Sequence, residues 1–142
     1  MVRTFNSSPF SDLRRAGFRL LAQHVWNAYQ KEKCDVSMNF VSKEEIVALN
    51  KSWFKKLAPT DVISFNLGES PDKKILGDVY ICPEIAQENA EKYHCTLEEE
   101  LARLVIHGML HLLGFEDATL AQKAEMRTLE DSFLQWFGAI GK

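Results

Sequence analysis

Thr96-Leu97-Glu98-Glu99-Glu100-Leu101-Ala102-Arg103-Leu104-Val105-Ile106-His107-Gly108-Met109-Leu110-His111-Leu112-Leu113-Gly114 is the stretch on which the reading of this chain turns. Thr96 with Glu99 three residues on forms a capping box that opens a helix. Leu97, Leu101, Leu104 and Val105 then recur at helical spacing on one face, and Gly114 stops the helix. The longest apolar run, Leu104 to Phe115, is broken by two histidines and falls short of the roughly 20 residues a bilayer demands. No membrane span is expected.

Outward from this helix, the punctuation is equally regular. Upstream, Thr60–Asn66 and Leu76–Cys82 are rich in β-branched and aromatic residues and flank a polar turn from Gly68 to Lys74, which predicts two paired strands. Pro83 then starts a helical stretch to His94. Further upstream, Val2–Phe5 reads as a short strand. It is followed by a helix carrying Leu13, Phe18, Leu21, Val25, Trp26 and Tyr29. Cys34–Val41 alternates with Val36, Met38 and Phe40 on one side, and Ser42 with Glu45 caps a helix through Leu49. Downstream, Thr119 with Gln122 opens a terminal helix with Met126, Leu129, Phe133 and Trp136 or Phe137 on one face. The predicted class is α+β (mixed α/β): a single small mixed sheet of about four strands packed against about five helices.

Composition sets the limits. The 142 residues suit one domain spanning 1–142, and 46% hydrophobic with 26% charged residues, seven Gly and four Pro exclude disordered and fibrous classes. A formal charge of −3 argues against coating nucleic acid by overall attraction while allowing a local basic patch. Cys34, Cys82 and Cys95 are odd in number and lack CxxC spacing, so neither a disulfide framework nor a cysteine zinc site is implied. With no apolar signal segment near the start, reduced thiols and a cytoplasmic location are expected.

His107 and His111 stand four apart, so both imidazoles project from one helix face and can reach a single ion. Gly114, three residues further on, can take positive φ and fold the chain back to deliver a third ligand, and Asp117 is in that position. The spacing HisxxxHisxxGlyxxAsp is similar to the extended metzincin pattern, with a carboxylate as third ligand. Yet Gly108 stands where a metalloprotease has its general-base glutamate, so proteolysis loses its proton acceptor. Two histidines and one carboxylate leave a coordination position where an ion could acidify water or polarise a phosphoryl oxygen. Beyond ion-bound water no catalytic group is named by the sequence.

His107-Gly108-Met109-Leu110-His111-Leu112-Leu113-Gly114-Phe115-Glu116-Asp117 resembles the HGxLHLxGxDH signature of the YbeY family of metal-dependent endoribonucleases. The resemblance extends to Pro59-Thr60-Asp61-Val62-Ile63-Ser64-Phe65 and Leu76-Gly77-Asp78-Val79, three motifs in order. It implies a small mixed sheet with a zinc ion at the end of the histidine helix and cleavage of single-stranded RNA. The role implied is ribosomal RNA maturation and ribosome quality control, with the ribosome or its proteins as further partners. Two positions depart from the family. Asp117 replaces the usual third histidine, which admits manganese or iron beside zinc, and Phe54 occupies the apparent place of a cleft arginine, leaving Lys55 or Lys56 to supply the charge.

Thr60, Ser64 and Asn66 alternate on one strand face, which without the family is simply the solvated side. With it, Thr60 and Ser64 join Lys55 and Lys56 as RNA contacts, and Trp53 becomes a stacking platform. Asp61 and Asp78 read as turn or cap residues, or as partners that orient the histidines. His24 and His94 read as structural. The rival functions are a metal-dependent peptide or amide hydrolase, a mononuclear iron protein, and a non-enzymatic ribosome assembly factor with a structural metal. The first two do not account for the two upstream motifs, and an open coordination position argues against the third.

Overall fold

Alternation along the strands decides which side of the sheet becomes the core. The computed structural model describes residues 1–30, 32–54 and 60–140. In chain order the elements are β1 (Val2–Asn6), α1 (Arg15–Tyr29), β2 (Cys34–Phe40), α2 (Lys43–Phe54), β3 (Val62–Glu69), β4 (Ile75–Ile81), α3 (Pro83–Tyr93), α4 (Leu97–Leu112) and α5 (Leu120–Ile140). The sheet runs β1-β2-β4-β3. β1, β2 and β4 are parallel, in register Val2 to Val36 and Met38 to Val79, and β3 adds antiparallel to β4 with Ser64 opposite Val79. This is the mixed sheet with five helices that the pattern predicts.

Cys34, Val36, Met38 and Phe40 of β2 point into the main core, where Phe18, Leu21, Val25 and Trp26 of α1 meet them. Each such side chain removed from water contributes about 1.5–3 kcal/mol before entropy is counted. α4 crosses the middle of this face and is buried on nearly every side, with Met126, Phe133 and Phe137 of α5 closing over it. On the opposite face a smaller cluster, Val41, Ile46, Ile63 and Cys82, lies beneath α2. α2 runs to Phe54 rather than stopping at Leu49, since no breaker follows and Asn50 is itself buried.

All three capping boxes form. The Thr96 hydroxyl accepts from the Glu99 amide at 3.1 Å, and reciprocal bonds join Ser42 to Glu45 and Thr119 to Gln122. At the other end of α4, Gly114 has φ +100°, its amide donates to the His111 carbonyl and the Phe115 amide to the Leu110 carbonyl, each at 3.0 Å. That pair of bonds is a Schellman motif, which reverses the chain after the second histidine.

One expectation is corrected. On the face of β3 carrying Ser64 and Asn66, Ser64 is not solvated as polarity suggests: it lies under α4 and its hydroxyl donates to the Gly108 carbonyl at 3.0 Å, whereas Asn66 stays exposed. The helix comes this close because residue 108 has no side chain. A Cβ there would sit 2.7 Å from Val79 Cγ1 and 3.2 Å from Ser64 Oγ.

Candidate metal centre

His107 and His111 occupy successive turns near the end of α4, with ring centroids 4.5 Å apart. Their Nε2 atoms approach to 2.9 Å. The turn at Gly114 returns Asp117 to the same point, its Oδ2 lying 3.4 Å from His107 Nε2 and its Oδ1 3.6 Å from His111 Nε2. Among the described residues this trio is the one group of metal-type side chains whose ligand atoms all fall within 4.8 Å of one another. Bonds of 2.0–2.2 Å at tetrahedral angles put neighbouring ligand atoms about 3.3 Å apart. The three separations bracket that value, so the donor set fits a divalent ion.

Glu130 of α5 completes the geometry. It is only 5% exposed, and its Oε2 lies 2.7 Å from His107 Nδ1. A carboxylate at this distance holds the proton on Nδ1 and leaves Nε2 facing Asp117. Its other oxygen accepts from Arg103 Nη1 at 2.9 Å, while Arg103 Nη2 donates to Asp131 at 2.7 Å. Burial pushes His107 down, but the Glu130 hydrogen bond and charge, with Asp117, outweigh it and the pKa ends raised. His111 is lowered, first by burial and then by the His107 charge. The two Nε2 atoms face each other and Asp117, where a divalent ion would be held by both rings and the carboxylate.

Sequence reasoning missed Glu130 and Arg103. The available signal was a carboxylate standing inside the buried stripe Met126, Glu130, Phe133, Phe137 of α5. Asp61 and Asp78, the carboxylates it considered for orienting the histidines, are engaged elsewhere. Asp61 accepts from Asn89 at 3.2 Å and Asp78 from Ser37 at 2.7 Å. His24 stacks on Trp136 with centroids 3.6 Å apart, and His94 ends α3 in the left-handed conformation.

The trio lies at the wall of a cleft of about 760 Å³ that Thr60, Ser64, Asn66, Phe54 and Glu116 also line. Phe54 stacks on Phe65 with centroids 5.9 Å apart, and Trp53 beside it is 68% exposed. Lys55 and Lys56, the predicted phosphate contacts, lie outside the described residues, as does Pro59.

A family model described as endoribonuclease YbeY matches residues 5–138. The chain belongs to the YbeY family. A Macrococcus caseolyticus endoribonuclease YbeY is 41% identical over 75% of this chain and 74% of its own, and one from Staphylococcus aureus is 39% identical over 76% of each. A Thermotoga maritima protein solved in solution superposes with a TM-score of 0.61 at 31% identity, covering 96% of this chain and 89% of that one. The YbeY fold is therefore shared at a level where sequence and structure agree. No helix among the described residues is long and apolar enough to cross a membrane.

Proposed function

We propose that this YbeY-family endoribonuclease cleaves unpaired RNA, foremost the ribosomal RNA precursor, with one divalent ion held by His107, His111 and Asp117. The observation that carries this reading is the convergence of the three donor atoms on the wall of the open cleft. Bound there, the ion supplies Lewis acidity toward a phosphoryl oxygen. Zinc is the ion proposed, with manganese or iron as alternatives because Asp117 is a hard ligand.

The chain's own residues set up the rest. Glu130 holds the His107 tautomer, and the Arg103 hydrogen bond holds Glu130 in place. The contact of Gly108 with Val79 leaves no room for the glutamate that a metalloprotease needs, so the peptide hydrolase reading has no proton acceptor. Thr60 and Ser64 on the cleft wall, and Lys55 and Lys56 beside it in sequence, are the proposed RNA contacts. Unpaired strands are the proposed substrate because they can splay bases into a cleft and stack them on aromatic groups such as Phe54 and Trp53. A cytoplasmic site of action, with the ribosome or its proteins as partners and a share in ribosome quality control, follows from this reading.

The test is metal content and cleavage together. Wild type should carry about one ion per chain and cut an unpaired ribosomal RNA oligonucleotide, since two imidazoles alone rarely complete a site. Folded His111→Ala should lose both. Full occupancy in that variant, or peptidase turnover on casein that follows the metal, would overturn the assignment.

A further inference from the structure

Glu100, Leu104, His107 and His111 stand at i, i+4, i+7 and i+11 of α4 and share one face of the helix. His107 and His111 serve the metal centre, whereas Glu100 and Leu104 line a second cleft of about 640 Å³. Asp61, Asn89, Tyr93, Lys123 and Arg127 line it too. His107 and Asp117 belong to the walls of both clefts, so the two meet at the metal centre.

Glu100 is 7% exposed. Its carboxylate receives no hydrogen bond from the described residues, and its neighbours act on it only through space: burial first, then Asp61, push its pKa up, with Arg103 opposing. No fully enclosed side-chain oxygen among the described residues lacks a partner, so the oxygens of Glu100 reach the cleft. A carboxylate this deep without donors is costly, and a ligand bringing two N–H groups would satisfy it. A second metal ion does not fit, because Asp61, Glu100 and Glu130 do not converge as the histidine trio does.

We propose that the second cleft is a guanine subsite, in which Glu100 accepts the N1–H and N2–H of an unpaired guanine and Tyr93 stacks on the base. Guanine is the RNA base whose pairing edge offers two adjacent N–H donors to one carboxylate; uracil offers one between two carbonyls, and adenine and cytosine one amine beside an acceptor. Tyr93 is 62% exposed and so offers a ring at the cleft. Lys123 and Arg127 stand one turn apart on α5 and suit the adjoining phosphate. Glu100 lies seven residues before His107, about 10 Å of helix rise. That is the reach of a single nucleotide, so a base seated at Glu100 delivers a neighbouring phosphodiester to the ion. This last step rests on the endoribonuclease reading above; the subsite itself does not.

The experiment compares guanosine and inosine 5′-monophosphates, which differ only in the 2-amino group, as ligands of the zinc-loaded protein by calorimetry. Oligouridine carrying one guanosine, one inosine or neither is the cleavage substrate. GMP should bind about tenfold more tightly than IMP, and cleavage should concentrate beside the guanosine. Glu100→Gln should abolish the difference between GMP and IMP, and Tyr93→Ala, at an exposed position, should weaken both ligands whatever the fate of the buried variant. Equal GMP and IMP binding by wild type, or a preference that survives in folded Glu100→Gln, overturns the subsite. Arginine amide bound through Glu100 in place of GMP also overturns it, in favour of a protein side chain. Uniform cutting of all three oligonucleotides refutes the subsite and leaves the nuclease reading standing. No cutting of any, with GMP still preferred over IMP, refutes the nuclease reading and leaves a nucleotide site.

Discussion

Asp117 puts a negative charge where the YbeY signature has an imidazole, and its two oxygens face His107 and His111 at 3.4 and 3.6 Å. A carboxylate ligand favours harder ions, so Asp117→His should raise the preference for zinc over manganese in competition titrations of the stripped protein. An unchanged ratio would mean that Asp117 is not a ligand. Glu130→Gln keeps the shape but removes the charge that orders His107, and metal affinity should fall about 10–100-fold. Equal affinity in the two proteins would reduce Glu130 to a structural partner of Arg103. Asp117 was legible because Gly114 supplies a local reason for the chain to turn back. Glu130 was not, because what brings it to His107 is the packing of α5 against α4, a contact 23 residues apart in sequence.

Among the elements, α4 does most to place the site, and two of its glycines act through different physics. Gly114 at φ +100° has open space around it, so Gly114→Ala is penalised by backbone strain alone, about 1–2 kcal/mol. It should also loosen metal binding by misplacing Asp117. Gly108→Ala has ordinary helical backbone but meets Val79 at 2.7 Å and should cost about 1–3 kcal/mol by overpacking. Urea midpoints for both variants, read beside metal affinity, separate the two effects. If Gly114→Ala binds metal normally, the turn is not what positions Asp117. Helix starts were legible from Thr96, Ser42 and Thr119 because capping is local chemistry. The place of Ser64 was not: it looks solvated by polarity, and only the antiparallel pairing of β3 with β4 turns it under the helix, while Asn66 stays exposed.

At the scale of the whole molecule, two clefts join at the candidate metal centre of a chain whose net charge is −3, so the proposed RNA contact is a local one and not attraction to an overall basic surface. The deep carboxylate of Glu100 carries a stability cost with a defined sign. Burial and then Asp61 raise its pKa in the folded state, with Glu130 adding to this and Arg103 and Arg127 opposing it. Folding therefore favours its neutral form. This carboxyl costs nothing in acid, and stability falls as pH climbs from the ordinary glutamate value to the raised one. Glu100→Gln cannot ionise, so its urea midpoint should exceed that of wild type near pH 8 and match it near about pH 4. A variant less stable than wild type at the higher pH would show that the carboxylate is satisfied by the fold.

The central claim is that ion and unpaired RNA meet at His107, His111 and Asp117. Its most direct test is the cleavage of one RNA hairpin with a long unpaired loop by metal-stripped protein as zinc is titrated back. Activity should be absent without metal, rise to a plateau at about one ion per chain, and cut the loop while sparing the stem. Full cleavage by the stripped protein, or stem and loop cut alike at the plateau, would contradict it.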